Sequence, residues 1–320
     1  MKMVQSLEQY MFIHDAILEA VTCGDTQIDA SLFSRRITEM SHRYPQTQLT
    51  EYENQFRCLL SLVRYLGTRL YNIHSRIAMT TTSPSDDWGV VLRGDKQDYI
   101  HATFVNGYKQ KRAFIIAQSP MEPTARDFWK MVHDRKCGVI VMLCDLLEDG
   151  QFREYTVNLM EEKPVKGFVM RTLVVVNEKV TTQHRYSLIT FPCVQQAGSA
   201  HQVVQLHMTN WSPDGSCSHL ATITSVINEM SAIQRRTGNN PIIVHCSDTV
   251  GRSGMFCAIV TTIERCKTEG VVDVFQVVKA LRVHKPGAVL TVAQYELVFQ
   301  AVLVYLRSFE TYSNFRNLSL

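Results

Sequence analysis

A short apolar run that leads through a polar loop into a helix is the feature that most restricts the fold of this chain. Ile242, Ile243 and Val244 have the continuous β-branched character of a buried strand. Residues 245–254 follow as His-Cys-Ser-Asp-Thr-Val-Gly-Arg-Ser-Gly, and an apolar-faced helix is predicted from Met255 onward. Since a buried strand followed by a helix is the unit of α/β folds, the chain is expected to contain a sheet covered by helices.

The loop between this strand and this helix has the composition of an anion-binding site. Backbone N–H groups at a helix N-terminus bind phosphate, and the helix dipole favours a thiolate at Cys246. Arg252, six residues later, can return to the loop and form paired hydrogen bonds with phosphoryl oxygens, while Ser253 is placed to donate to the sulfur. The expected phosphate-binding residues are Cys246, Ser247, Asp248, Thr249, Val250, Gly251 and Arg252. The alternative is an inert buried thiol and a surface arginine, which the combined strand, glycine, arginine and helix pattern disfavours.

Further apolar stretches predict the rest of the architecture. Period-2 or continuous apolar runs indicate strands at residues 113–117, 138–143, 170–176 and 203–208. Helical periodicity predicts helices at residues 51–66, 124–134, 220–234, 254–267, 272–282 and 292–307, and residues 80–87 are expected to form a loop. Strands in the middle with helices before and after favour an α/β domain with one mixed, twisted sheet flanked by helices.

An internal repeat predicts how the chain is divided. Residues 3–20 align without gaps with residues 288–305, with identities that include Gln9 with Gln294 and Tyr10 with Tyr295. Only the second copy is preceded by a full domain's worth of chain, so residues 1–24 are expected to be the C-terminal segment of an upstream domain of the same type. Residues 25–50 are then an interdomain linker, 51–312 the complete domain and 313–320 a tail.

Composition excludes several other classes of protein. With 33 Lys and Arg against 30 Asp and Glu, the net charge of +3 does not indicate nucleic acid as a partner. No apolar run approaches the roughly 18 residues of a membrane span. The nine cysteines lack disulfide-scaffold spacing, and eight of them are expected to be inert thiols. No histidine and cysteine pairs have metal-ligand spacing, so neither a metal nor a cofactor is expected.

The loop resembles the H-C-S-x-G-x-G-R-S/T-G signature of the protein tyrosine phosphatases, and the likeness extends over nearly all of residues 51–312. Residues 98–108 resemble the family's D-Y-I-N-A-S-F-x-x-G-Y segment, residues 117–129 its A-Q-G-P…T…D-F-W segment, and residues 289–295 its V-Q-T-x-x-Q-Y loop. The resemblance implies a cysteine-dependent phosphatase fold and a cysteinyl-phosphate intermediate.

The predicted tandem arrangement is similar to that of receptor-type members of the family. This likeness implies a second, membrane-distal domain in the cytoplasm, a membrane-anchored parent protein, and two partners: the upstream phosphatase domain and a phosphotyrosine protein or peptide. The residues do not separate the alpha/epsilon-like subfamily from the leukocyte-antigen-related one.

Several residues depart from the family pattern. The general acid of W-P-D-x-G would be Asp214, but in Trp-Ser-Pro-Asp-Gly it stands one residue late, and such a displacement moves a carboxylate by about 3.5 Å. Residues 75–77, Ser-Arg-Ile, replace the N-R-Y of phosphotyrosine recognition, and Leu290 replaces a water-positioning glutamine, although Gln294 remains.

Two further departures lie inside the phosphate loop. Asp248 places a carboxylate beside a dianionic ligand, at a cost of about 1 kcal/mol in water. Thr249 stands at a glycine position, which costs about 1 to 3 kcal/mol if the backbone there favours glycine.

Three functional hypotheses follow. The first is a phosphatase fold with weak or no phosphotyrosine hydrolysis that serves as a regulatory and docking module. The second is an active hydrolase that uses Cys246, Arg252, Ser253, Gln294 and the displaced Asp214. The third is a redox-sensing or phosphopeptide-binding module built on the Cys246 thiol.

Overall fold

A computed structural model of the chain describes residues 4–77, 88–92, 98–144, 155–177, 200–209, 211–212, 216–217, 220–247 and 250–317. Its helices are α1 (Leu7–Cys23), α2 (Phe33–Met40), α3 (Glu51–Ile77), α4 (Ala125–Asp134), α5 (Leu220–Thr237), α6 (Gly251–Glu269), α7 (Val274–His284) and α8 (Val292–Asn317). Its strands are β1 (Ile28–Asp29), β2 (Gly89–Val91), β3 (Tyr99–Val105), β4 (Phe114–Gln118), β5 (Val139–Met142), β6 (Tyr155–Val165), β7 (Phe168–Asn177), β8 (Ala200–Met208), β9 (Ile242–Cys246) and β10 (Val271–Val272).

One mixed sheet organises these elements. Among the described residues it has eight strands in the order β2-β3-β4-β9-β5-β8-β7-β6. The central strands β4, β9, β5 and β8 are parallel to their neighbours in this group, and the outer pairs are antiparallel. The predicted α/β class with one mixed sheet flanked by helices is therefore confirmed.

Side chains on the two faces of the sheet enter two hydrophobic cores. In β4, Phe114 and Ile116 belong to the larger core, whereas Ile115 and Ala117 belong to the smaller one. Residues of α3 and of α5 through α8 fill the larger core, and Phe128 with its neighbours on α4 fills the smaller one. Because both faces are covered, β4, β5 and β9 each contain a continuous apolar run, as their sequences indicated.

The helices and strands predicted within residues 98–317 are present at the predicted places with ends that differ by a few residues, except that α8 continues to Asn317 instead of ending at residue 307. The helix predicted over residues 51–66 continues to Ile77. β3 and β6 were not predicted as strands. The predicted loop at residues 80–87 lies outside the described residues.

The segment assigned to a linker, residues 25–50, packs onto the domain. Phe33, Ile37 and Met40 on α2 are buried in the larger core, and Phe33 stacks on Phe299 of α8 with 6.2 Å between ring centroids. β1 pairs antiparallel with β10, which aligns Ile28 with Val272. The buried side chains of α2 show that this segment covers part of the domain surface, although its composition is largely polar.

Candidate active site

Cys246 lies at the end of the central strand of the sheet. It is the last residue of β9, it is fully buried, and β9 is paired on one side with β4 and on the other with β5. The backbone N–H of Ser119 donates to the Cys246 carbonyl oxygen over 3.1 Å, and the N–H of Leu143 donates to the His245 carbonyl oxygen over 3.0 Å. Pairing on both sides therefore holds the cysteine at the edge where three parallel strands end, the usual position of ligand sites in α/β sheets.

The residue at the N-cap of the helix that follows the loop has no side chain that can cap it. α6 starts at Gly251, and Val250 at its N-cap makes no side-chain hydrogen bond to the first turn. N–H groups at such an end attract anions, as does the helix dipole. Asp248 and Thr249 lie outside the described residues, so their predicted parts in phosphate binding remain predictions.

Hydrogen bonds to two segments of the protein hold the Arg252 side chain in one position. Its side chain is buried; Nη1 donates to the carbonyl oxygen of Trp211 over 3.0 Å, and Nη2 donates to the hydroxyl of Ser247 over 2.7 Å. Within the described part of the chain, Nε has no hydrogen-bond partner. The guanidinium is thus fixed between the loop and the Trp211 segment.

Ser253 contacts the sulfur of the cysteine. The Ser253 hydroxyl donates to Cys246 Sγ over 2.9 Å, and both residues are fully buried. A hydrogen bond to sulfur stabilises the thiolate more than the thiol, because the acceptor then carries charge. The structure therefore brings together Cys246, Ser247, Arg252 and Ser253 as the sequence predicted.

His245 is a neutral neighbour of the cysteine. Its Nδ1 lies 2.9 Å from the hydroxyl of Ser119, which in turn lies 2.8 Å from Cys144 Sγ, and its ring packs edge-on against Phe128. Burial lowers the pKa of His245 to about 3. The imidazole consequently adds no positive charge beside Cys246 at neutral pH. Ser119 was not predicted as a site residue, although its replacement of glycine in the A-Q-G-P segment was the available signal.

Lys285 is a second cation near the cysteine, in addition to Arg252. Like Ser119, it was not predicted as a site residue. Lys285 is buried, and its Nζ is 3.4 Å from Nε2 of His101. Burial lowers the pKa of Lys285, whereas the proximity of Cys246 acts in the opposite direction. The lysine belongs to the same electrostatic environment as the thiol.

The segment before α8 packs directly against the start of α6. A Cβ atom at Gly254 would lie 3.0 Å from Cα and Cβ of Ala288 and 3.0 Å from the backbone nitrogen of Val289. Arg282 holds this segment by donating from Nε to the carbonyl oxygen of Ala288 over 2.8 Å. Only glycine at position 254 permits this close approach.

Gln294 has a structural task in this segment. Its Oε1 accepts a hydrogen bond from the N–H of Leu290 over 2.6 Å, and its own N–H donates to Thr291 Oγ1 over 3.2 Å. The Thr291 hydroxyl thus caps the first turn of α8, and the Gln294 side chain reaches back to the residue before Thr291, close to the arrangement of a capping box. The Oε1 atom is therefore engaged in capping α8, and Leu290, at 46% exposure, supplies no polar group in place of the family glutamine.

The predicted acid lies outside the described residues. Trp211 is buried and pairs with Cys217, and the N–H of Ser212 donates to the carbonyl oxygen of Ser216 over 3.1 Å. Asp214 falls between these described positions. The side chains of residues 75–77 are likewise outside the described part.

The described residues contain no group of three or more His, Cys, Asp or Glu side chains arranged to hold a metal ion. A search of the same residues for a helix long and apolar enough to cross a membrane found none.

Comparison with known proteins agrees with this geometry. A family model described as Protein-tyrosine phosphatase matches residues 74–304. Receptor-type tyrosine-protein phosphatase alpha of Homo sapiens is 32% identical over 337 residues, which cover 98% of this chain and 40% of that protein. Receptor-type tyrosine-protein phosphatase epsilon of Mus musculus is 33% identical over 330 residues, which cover 98% of this chain and 46% of that protein.

A further relative, receptor-type tyrosine-protein phosphatase F of Homo sapiens, is 31% identical over 334 residues, which cover 97% of this chain and 17% of that protein. This chain thus spans less than half the length of each of these three relatives. The similar identities do not assign it to one receptor subfamily. The matched family model and the relatives together show that the chain is a receptor-type member of the protein-tyrosine phosphatase family.

Proposed function

We propose that this chain is the second, membrane-distal phosphatase domain of a receptor, and that it binds phosphotyrosine ligands while hydrolysing them weakly or not at all. The observation that carries the proposal is the arrangement around Cys246. Ser253 donates to its sulfur and Arg252 is fixed beside the loop, and these two contacts support phosphate binding at this site. The parts that complete the chemistry are altered in sequence.

Catalysis by this mechanism needs a proton donor for the leaving phenolate and a group that places the attacking water. Asp214 stands one residue from the acid position, and Leu290 stands where the family has a glutamine. Gln294, which remains, uses its Oε1 to cap α8. Loss of a positioned acid alone reduces rates by about 10²–10⁴-fold, so binding without efficient turnover is the expected result.

The rival function is an active phosphotyrosine hydrolase that works through a cysteinyl-phosphate intermediate. The contact between Ser253 and Cys246 favours it, because the same hydrogen bond that stabilises a thiolate also assists its departure. A redox role for Cys246 has less support, since its side chain is fully buried.

The exposed side of α1 supports the proposed tandem arrangement. Leu7, Tyr10, Ile17 and Val21 are between 59% and 80% exposed on this helix. An apolar stripe of this kind is expected to be covered by another part of a larger protein. We therefore assign residues 1–24 to the end of an upstream phosphatase domain, 25–50 to the connection, 51–312 to the second domain and 313–320 to a tail, within the cytoplasmic part of a membrane-anchored receptor.

Phosphate binding tests the proposal independently of turnover. Calorimetric titration with inorganic phosphate and with a phosphotyrosine peptide should show binding by the chain and a loss of about tenfold or more in Arg252→Ala. Arg235→Ala, which removes an exposed arginine at the end of α5, is the matched control and should bind as the unaltered chain does. Equal binding by Arg252→Ala and the unaltered chain would contradict the proposal.

A further inference from the structure

Two partly exposed cysteines lie where α1 meets α3. Cys23 is the last residue of α1, and Cys58 lies in the first half of α3. Among the described cysteines, Cys217 is the other partly exposed one, and the rest are buried. Cys23 and Cys58 therefore combine accessibility with proximity to a second thiol.

Both thiols contact Thr22, and the Cys23 and Cys58 side chains are within hydrogen-bonding reach of each other. Cys58 Sγ donates to the carbonyl oxygen of Thr22 over 3.4 Å, and Thr22 Oγ1 lies 3.4 Å from Cys23 Sγ. The Thr22 hydroxyl is itself fixed, because it donates to the carbonyl oxygen of Leu18 over 2.7 Å. The end of α1 is thus held in one orientation against α3, with both thiols at the contact.

Other contacts hold the same end of α1 but leave its apolar side open. Lys279 of α7 donates from Nζ to both carboxylate oxygens of Glu19, over 2.5 and 2.7 Å, and Thr26 Oγ1 donates to Asp273 over 2.9 Å. The Lys279–Glu19 pair is partly buried and the Thr26–Asp273 bond is buried, and all of these bonds are non-covalent. A covalent bond at the Cys23 position would hold the helix far more firmly than they do.

We propose that Cys23 and Cys58 are a modification site that forms a disulfide bond when the chain meets a peroxide. One thiolate attacks a peroxide oxygen, the O–O bond breaks, and a sulfenic acid and hydroxide form. The second thiolate attacks the sulfenic sulfur, the S–S bond forms and a second hydroxide leaves. The two protons released from the thiols convert the hydroxides to water, so peroxide is reduced as the two sulfurs are oxidised.

The environment sets the rate of this reaction. Burial raises the pKa of Cys23, the Thr22 hydroxyl lowers it, and the neighbouring Cys58 raises it further. Since the thiolate is the reactive form, oxidation should be slow at neutral pH and faster in mildly alkaline solution. The bond would join α1 to α3 and so restrict the helix that precedes the domain.

Peptide mapping tests the site directly. The reduced chain is treated with hydrogen peroxide, its remaining thiols are alkylated, and its peptides are analysed by mass spectrometry. A peptide pair joined through Cys23 and Cys58, absent after dithiothreitol treatment, is expected in the unaltered chain and in Cys217→Ser. The pair is also expected in Cys246→Ser, so the result does not depend on the proposed phosphate site. Recovery of both residues as free thiols, as sulfinic or sulfonic acids, or joined to other cysteines would overturn the proposal.

Hydrogen exchange tests the consequence for the helix. Amide exchange in α1 should slow by roughly an order of magnitude on oxidation of the unaltered chain. In Cys58→Ser the exchange rate should be the same before and after peroxide treatment. This variant leaves the hydrogen bonds of the Thr22 hydroxyl and of Glu19 unaltered. Unchanged exchange in an unaltered chain that contains the mapped disulfide would overturn the claim that the bond restrains α1.

Discussion

Arg252 donates a hydrogen bond from Nη1 to the backbone carbonyl oxygen of Trp211 over 3.0 Å. This bond joins the loop after β9 to the segment that contains Asp214, and a second bond from Nη2 to Ser247 fixes the other end of the guanidinium. The arginine is therefore oriented before binding, which reduces the entropy that a phosphate ligand must overcome. The proposed binding and proton-donating segments are therefore adjacent, so a change in one is expected to affect the other.

Placing a carboxylate at the expected acid position should increase turnover. Pro213 stands at that position in the ungapped comparison, so Pro213→Asp is expected to raise Cys246-dependent hydrolysis of an aryl phosphate by about tenfold or more. Pro213→Asn, which has nearly the same shape without the charge, is the matched control. Equal rates for the two variants would show that the missing acid does not limit turnover.

Removing the hydroxyl that contacts the sulfur should lower the thiolate fraction of Cys246. A hydrogen bond to a charged group is worth about 1.5–3 kcal/mol, so Ser253→Ala should slow alkylation of Cys246 at neutral pH by about 10- to 100-fold. The measurement is the alkylation rate of the Cys246 peptide by a small iodoacetamide reagent. Ser225→Ala, at an exposed serine of α5, should leave that rate unchanged. An unchanged rate in Ser253→Ala would show that the contact does not act on the thiolate.

His245 should make the folded state sensitive to acid. Its folded pKa is about 3 against an ordinary value of 6.5, so between these values the unfolded chain binds a proton that the folded chain does not. Stability present above pH 6.5 is therefore lost as the pH falls, with a slope of up to about 1.4 kcal/mol per pH unit from this residue.

Urea unfolding at several pH values between about 7 and 4 measures this slope. His245→Gln should flatten it relative to the unaltered chain, while some slope remains because burial also lowers the pKa of His201 and His284. His14→Gln, at a half-exposed histidine of α1, should retain the full slope. A slope in His245→Gln equal to that of the unaltered chain would contradict the account of its burial.

A side chain at position 254 should lower both the stability of the chain and its affinity for phosphate. A Cβ there would lie 3.0 Å from main-chain atoms of residues 288 and 289, so Gly254→Ala is expected to cost about 1–3 kcal/mol and to weaken phosphate binding. Gly270→Ala is the comparison, because no atom lies within 4 Å of its Cβ position although its φ is 74°. It should lower stability without changing phosphate affinity. Unchanged phosphate affinity in Gly254→Ala would show that packing against residues 288–289 does not affect phosphate binding.

The central part of the fold was predictable because its residues are buried on both faces. Residues of β4, β5 and β9 are continuously apolar, so composition alone identified them. β6 is an edge strand that is mostly exposed, and its Glu161, Glu162 and Lys163 carry none of the apolar alternation that indicates a strand. Charged edge strands of this kind are not recognisable from local pattern.

The packing of the segment before residue 51 could not be predicted from the local sequence pattern either. Phe33, Ile37 and Met40 face one side of α2, but only three apolar side chains among charged and polar neighbours were visible in the sequence. Their burial depends on α8, which lies more than 250 residues later in the chain. Local periodicity indicates that a helix is amphipathic and does not identify what covers it.

The candidate site was likewise predictable from the sequence only in part. The spacing from Cys246 to Arg252 and Ser253 predicted their meeting, because a strand, a tight loop and a helix start constrain six or seven residues to one place. Ser119 and Lys285 come from separate segments, and only the folded sheet brings them to His245 and Cys246. Asp214, Asp248 and Thr249 lie outside the described residues, and their roles remain predictions.

Turnover that depends on Cys246 is the most direct test of the proposed function. Hydrolysis of an aryl phosphate is measured for the unaltered chain and for Cys246→Ser, with phosphate affinity determined in parallel. The account predicts measurable phosphate binding together with a Cys246-dependent kcat below about 0.1 s⁻¹, beneath the range of about 1–10³ s⁻¹ usual for enzymes. A Cys246-dependent kcat within that usual range would contradict it.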